Sequence, residues 1–173
     1  QFPGMPGVVE GNQGHTYGLS YWLPFQGTGT YGYDPYTYRS FFLPSFGMGG
    51  LDAANRAAQQ QAYRECRQVA PRMLGDYYPL TPYSLAPDRW IAWQFHRPET
   101  GDGVVQAFRR AECAADCLAC RLRGLDPSAT YAVKDLDGTT ASRCEGRRLL
   151  AEGLVVRAAD RPHAVVVLYE RTD

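Results

Sequence analysis

From Trp90 onward the chain is written in short runs of apolar and β-branched residues, broken at regular intervals by turn residues. This is the pattern of half-buried strands. Trp90–Phe95 and Val104–Arg109 flank Pro98–Gly103, whose Asp102-Gly103 pair is a hairpin signal. Cys117–Arg123, Thr130–Asp135, Leu154–Arg157 and Ala164–Glu170 are the further predicted strands, with turns at Asp126-Pro127 and Asp137-Gly138. No helix-length periodicity interrupts them, so the expected fold class is mainly β, with an antiparallel β-sandwich at the C-terminal end. Upstream the period changes. Leu51, Ala54, Ala58, Ala62, Cys66, Val69 and Met73 recur at helical spacing, with Asp52 placed as N-cap, Pro71 as a kink or restart, and Gly75 as the stop. Residues 1–18 read as a Gly/Pro-rich loop and Thr16–Pro24 as a short buried strand. Gln26–Tyr38 reads as a Gly/Tyr-rich loop able to approach a ligand closely, or simply to pack.

Composition divides the chain at Tyr77–Ser84, a short stretch dense in proline and tyrosine. Twelve of the 22 Phe, Trp and Tyr residues precede Leu51, and in that span only Glu10, Asp34 and Arg39 are charged. A solvated domain surface carries about a quarter charged residues, so residues 1–50 have the composition of the inside of something larger. That composition and the absence of an initiator Met point to a piece of a longer protein. With 18 basic and 18 acidic residues the net charge is zero, which leaves no electrostatic footprint for nucleic acid or an anionic membrane. No apolar run is long enough to span a bilayer. Oligomerisation remains open on these grounds.

Little of the chemistry of a site is visible. Five cysteines cannot all pair, which favours a reducing, cytoplasm-like compartment. Cys113, Cys117 and Cys120 are near zinc spacing, but 117 and 120 fall on opposite faces of a strand and no histidine accompanies them. They read as small packing residues, and no metal or cofactor is expected. The Gln26–Tyr38 stretch has neither the Lys-Ser/Thr pair nor the glycine spacing of a phosphate loop. His96 and His163 fall in or beside strands; His15, next to Tyr17, is either a substrate contact or a packed residue. A retaining glycosidase needs two carboxyls about 5 Å apart. In the charge-poor half only Glu10 and Asp34 could serve, and Asp34-Pro35 reads first as a turn.

Gly75–Ser84, Trp90–Glu99, Gly103–Arg110, Leu122–Pro127 and Tyr131–Asp137 together resemble the C-terminal domain of melibiase-type α-galactosidases of glycoside hydrolase family 36. Asn12–Pro24 resembles the family stretch that follows the acid/base aspartate. The resemblance implies two parts: residues 1–74 as the last strand and helix elements of an incomplete (β/α)8 barrel, and residues 75–173 as the antiparallel sandwich behind it. His15, Tyr17, Ser20 and Trp22 are then the candidate substrate-contacting residues, and an α-linked galactoside is the implied partner of the full-length parent. The family's nucleophile and acid/base aspartates have no counterpart here, so no catalytic residue is carried over and the chain alone is expected to be inactive. The alternative is a free-standing carbohydrate-binding or structural sandwich module. In the binding version, aromatic side chains such as Trp22, Tyr31, Tyr33 or Trp93 would stack on sugar rings.

Overall fold

The structure, a computed structural model, describes residues 7–50 and 53–172. Its frame is a six-stranded antiparallel sheet. In chain order the elements are α1 (Val8–Leu19), β1 (Gly27–Thr30), α2 (Pro35–Ser40), β2 (Ser45–Met48), α3 (Arg56–Val69), β3 (Asp76–Pro79), β4 (Trp90–Arg97) and β5 (Asp102–Arg109). There follow β6 (Cys117–Cys120), β7 (Thr130–Asp135), β8 (Ser142–Glu145), α4 (Gly146–Ala151), β9 (Leu154–Arg157) and β10 (His163–Arg171). The large sheet runs β3-β4-β5-β10-β7-β8; β6 pairs with β9 in a second, two-stranded sheet.

Both faces of the large sheet are covered, and strand alternation decides what each face meets. Ile91, Trp93, Phe95, Val104, Phe108 and Val166 point to one side, where Tyr17, Tyr36, Phe42, Ala62 and Val69 from the three N-terminal helices and the residues after α2 complete a core. Trp90, Ala92, Val105, Ala107, Val165 and Val167 point to the other, against Cys120, Leu122, Leu149 and Val156. Residues from both sides of the Gly75 boundary therefore share the first core. Trp90, Trp93, Phe95 and Phe108 are all buried core residues, which removes Trp93 as a stacking platform.

The strand expectations at β4, β5, β7, β9 and β10 agree with the structure to within one or two residues. The predicted strand at 117–123 ends at Cys120. Two short strands escape the pattern, β3 because Pro79 interrupts its run and β8 because it is mostly exposed. The six-residue α4 does interrupt the strand series. Upstream, two readings are corrected. Residues 8–19 form a helix rather than a loop, and Thr16–Leu19 is its last turn rather than a strand. Glycines at 11, 14 and 18 looked like breakers. Packing offsets their cost: Tyr17 donates to the Thr81 carbonyl (2.6 Å) and Tyr77 donates back to the Tyr17 carbonyl (2.9 Å). Tyr21, Trp22 and Leu23, expected in a buried strand, are exposed in the turn that follows, as is Phe25.

The Gly/Tyr segment is also more ordered than a loop, since it contains β1 and the start of α2. Asp34 accepts from the Thr37 N–H (2.9 Å) as the N-cap of α2, with Pro35 in the first turn. The proposed N-cap Asp52 lies outside the described residues; α3 itself runs Arg56–Val69, and Gly75 closes the 3₁₀ turn Arg72–Leu74.

His96 marks where a polar residue has been built into the sheet. Gly103, in register with both His96 and Tyr169, leaves room for the Tyr169 ring to lie across β5. The Tyr169 hydroxyl then accepts from Gln94 (2.7 Å) and sits 3.1 Å from His96 Nδ1. Burial holds the His96 imidazole below its ordinary value of 6.5, outweighing the pull of Asp76 and Asp102. Above pH 6.5 the ring is neutral folded or unfolded; below it the unfolded chain takes up a proton that the folded chain resists. Stability should therefore fall as pH drops from 6.5 towards the folded value. His96→Gln should flatten that limb in urea unfolding followed against pH, and an unchanged slope would contradict the assignment. Asp102 and Asp137, both held low, lose their contribution only below the carboxylate value of 3.8.

Candidate functional site

An open cleft of about 680 Å³ lies between α1 and the β1–β2 pair. Asn12, His15, Thr16 and Leu19 supply one wall, spaced so that they share a helix face. Gly27–Thr30, Tyr31 and Gly47–Gly49 supply the other, with Leu23, Gln26 and Leu43 closing the ends. The opposite face of α1 is committed to the core. There Gln13 donates to Ser40 Oγ (2.9 Å) and accepts from Arg110 Nε (3.2 Å), and Gly14 admits Tyr83 and Leu85 into close contact.

Several polar groups around the cleft are already occupied. Asn12 donates to the Ser40 carbonyl (2.6 Å), Gln26 donates to Ser20 Oγ (3.0 Å) and the Leu23 carbonyl (3.2 Å), and Thr30 Oγ1 accepts from the Gly32 N–H (3.0 Å). The His15 imidazole, the Thr28 hydroxyl and the Tyr31 ring complete the polar and aromatic lining. No carboxylate among the described residues lines the cleft. Glu10 instead accepts from the Tyr36 hydroxyl (3.0 Å), and Asp34 caps α2. Such a wall can orient a neutral, hydroxyl-bearing ligand, and among the described residues it holds no pair of carboxyls of the kind that hydrolysis uses.

Of the four candidate residues, the structure brings only His15 to the cleft. Tyr17 is buried against Tyr77 and Tyr83 on the far side of the helix. Ser20 is taken up by Gln26, and Trp22 projects into solvent at 83% exposure. Tyr33 is spent on the carbonyls of Gly49 and Gly50. The Gly47–Gly49 wall was not anticipated. Its signal is the echo between Gly27-Thr-Gly-Thr and Gly47-Met-Gly-Gly, two glycine-spaced runs that pair in parallel, Gly29 opposite Gly47. All five cysteines carry free thiols, and no cluster of three or more metal-type ligands occurs among the described residues.

Residues 90–169 match the profile of the glycosyl hydrolase family 36 C-terminal domain. Among solved structures, the galactosidase domain of an α-galactosidase–sucrose kinase superposes at TM-score 0.74 and 16% identity, covering 95% of this chain and 25% of that one. A family 36 α-galactosidase from Geobacillus stearothermophilus, solved with raffinose, gives 0.62 at 18% identity over 79% of this chain and 19% of its own. The α-galactosidase of Lactobacillus brevis gives 0.57 at 16% identity, covering 79% and 20%. The chain thus spans a quarter or less of the length of each. No significant match is found among curated proteins.

Proposed function

We propose that this chain, whose residues 90–169 are a glycosyl hydrolase family 36 C-terminal domain, is the C-terminal portion of an α-galactosidase-type retaining glycoside hydrolase. In this reading residues 1–74 are the last elements of its (β/α)8 barrel and residues 75–173 its sandwich. The observation that carries the reading is the extent of the structural likeness. It covers 95% of the chain, well beyond the matched domain and into the segment that holds β1, α2, β2 and α3. A β-α-β-α run whose two strands pair in parallel is the repeating unit of such a barrel, and the low charge of residues 1–50 agrees with strands and helices made to be enclosed. A free-standing sugar-binding sandwich has no use for that segment.

The role assigned to the chain is to carry the sandwich and one wall of the barrel, with His15 and the glycine-lined strands closest to an α-galactoside bound by the parent. The catalytic aspartate pair is not assigned to any residue here. Purified chain is expected to release no aryl alcohol from an aryl α-galactoside above the buffer rate. Turnover that survives rigorous purification and disappears on His15→Ala would refute the assignment of catalysis to residues outside this chain.

A further inference from the structure

Helix α1 is held from behind by a residue of the large sheet. Arg110, which follows β5 directly, is 1% exposed. Its Nε donates to Gln13 Oε1 (3.2 Å), and its Nη1 donates to the carbonyls of Ser84 (2.7 Å) and Ala86 (3.1 Å) in the connection between β3 and β4. Those two carbonyls bracket Leu85. Leu85 and Tyr83 in turn lie so close to Gly14 that a Cβ there would stand 2.9 Å from Leu85 Cδ2. One guanidinium therefore reaches the rear face of α1 twice, through Gln13 directly and through the seat of Leu85 on Gly14.

Stability does not account for a cation at this place. All three acceptors are neutral, and the buried Nη2 has no hydrogen-bond partner among the described residues. Burial disfavours the charged form, and an apolar side chain of similar volume would have no ionic desolvation to offset. What the guanidinium supplies is direction. Its planar fork fixes where acceptors on separate segments stand relative to one another. The front face of the same helix carries Asn12, His15, Thr16 and Leu19, the wall of the cleft. Gln13 and His15 are two positions apart and so project to opposite sides of α1. A shift of the helix at Gln13 carries His15 with it.

We propose that Arg110 is a positioning residue: through Gln13 it sets the placement of α1, and with it the His15 wall of the cleft. The sandwich then helps to shape the site rather than only packing behind it. Arg110 touches no ligand itself. The inference rests on the α-galactosidase reading for what the cleft receives, whereas the coupling of Arg110 to His15 is a property of this chain. A failed coupling leaves that reading standing, and turnover by the purified chain would overturn the reading without touching the coupling.

The test follows the His15 imidazole resonances and amide hydrogen exchange in the isotopically labelled 173-residue chain. Arg110→Met should shift the His15 resonances and speed exchange of the Asn12–Leu19 amides at least about tenfold, with the β5 and β10 amides unchanged. Gln13→Leu, which leaves the guanidinium in place, should shift His15 in the same direction. Adding Arg110→Met to Gln13→Leu should move His15 little further, because the two residues act through one contact. A lower urea midpoint with His15 and the α1 amides unmoved would make Arg110 a residue of the fold alone and overturns the proposal. So do fully additive shifts in the double variant. Should Arg110→Met fail to fold, Gln13→Leu decides by itself: unchanged His15 resonances overturn the proposal, and a shift with faster α1 exchange upholds it.

Discussion

Arg39→Met is expected to remove about 3–5 kcal/mol of stability, the cost of breaking a buried ion pair from one side. Arg39 ends α2 with its side chain 1% exposed. Its Nε and Nη2 donate to the Glu65 carboxylate on α3 (2.8 and 3.1 Å). Its Nη1 donates to Asp137 (2.7 Å) and to the Ala164 carbonyl at the start of β10 (2.9 Å). One guanidinium thus ties two helices to the far end of the sheet. With it gone, the Glu65 carboxylate, 4% exposed, keeps only the Tyr38 hydroxyl (3.3 Å) and the Gln61 amide (2.8 Å), too little for a buried charge. The double variant Arg39→Met/Glu65→Leu should recover most of the loss, because an apolar pair can replace a buried ion pair at little cost. Asp137→Ala should cost far less, since that carboxylate is half exposed. Urea unfolding of the set decides. A loss below about 1 kcal/mol for Arg39→Met, or no recovery in the double variant, would show that the network is incidental.

That network illustrates what could not be read from the chain. Arg39 and Asp137 are 98 residues apart, and nothing in either neighbourhood marks them as partners. The β4–β5 hairpin was legible for the opposite reason: its register is local, and β-branched and aromatic residues surround Asp102-Gly103. Even there the polar Gln94, His96 and Gln106 are fully or almost fully buried. Gln94 is satisfied by Tyr169 and the Arg123 backbone, His96 sits against Tyr169, and Gln106 accepts from the Trp93 indole while its own amide nitrogen has no partner among the described residues, none of which a pattern of apolar positions can convey. Helix α1 was illegible because glycine recurs along it, and its stability comes from distant groups such as Ser40 and Thr81. The cleft was half visible. His15 stood out as a lone histidine in a glycine-rich stretch, but the wall it faces is made by Gly47–Gly49, brought there by a parallel crossover. Tyr17, Ser20 and Trp22, neighbours of His15 in sequence, leave it on the helix turn and face elsewhere.

Phe108→Ala is expected to cost about 3–5 kcal/mol and to report on whether the two compositional halves unfold together. Phe108 is completely buried in β5, its ring 5.2 Å from Trp93 in β4 and 6.3 Å from Tyr36 in α2. It therefore packs the sheet and the first of these halves at once. The void left by alanine would abut both, and neither side can close over it without moving a strand whose ladder is fixed by neighbours on both edges. Phe108→Leu, which keeps most of the volume, should lose less than about 1.5 kcal/mol. Fluorescence from the buried Trp90 and Trp93 follows the sheet, whereas far-ultraviolet ellipticity weights the helices α1 and α3. If the shared core makes one cooperative unit, the two signals should give the same urea midpoint in the wild type and shift together in Phe108→Ala. A lower midpoint in ellipticity than in fluorescence would mean that the helical segment detaches first, and that Phe108 and Arg39 dock it without making it part of the sandwich's fold.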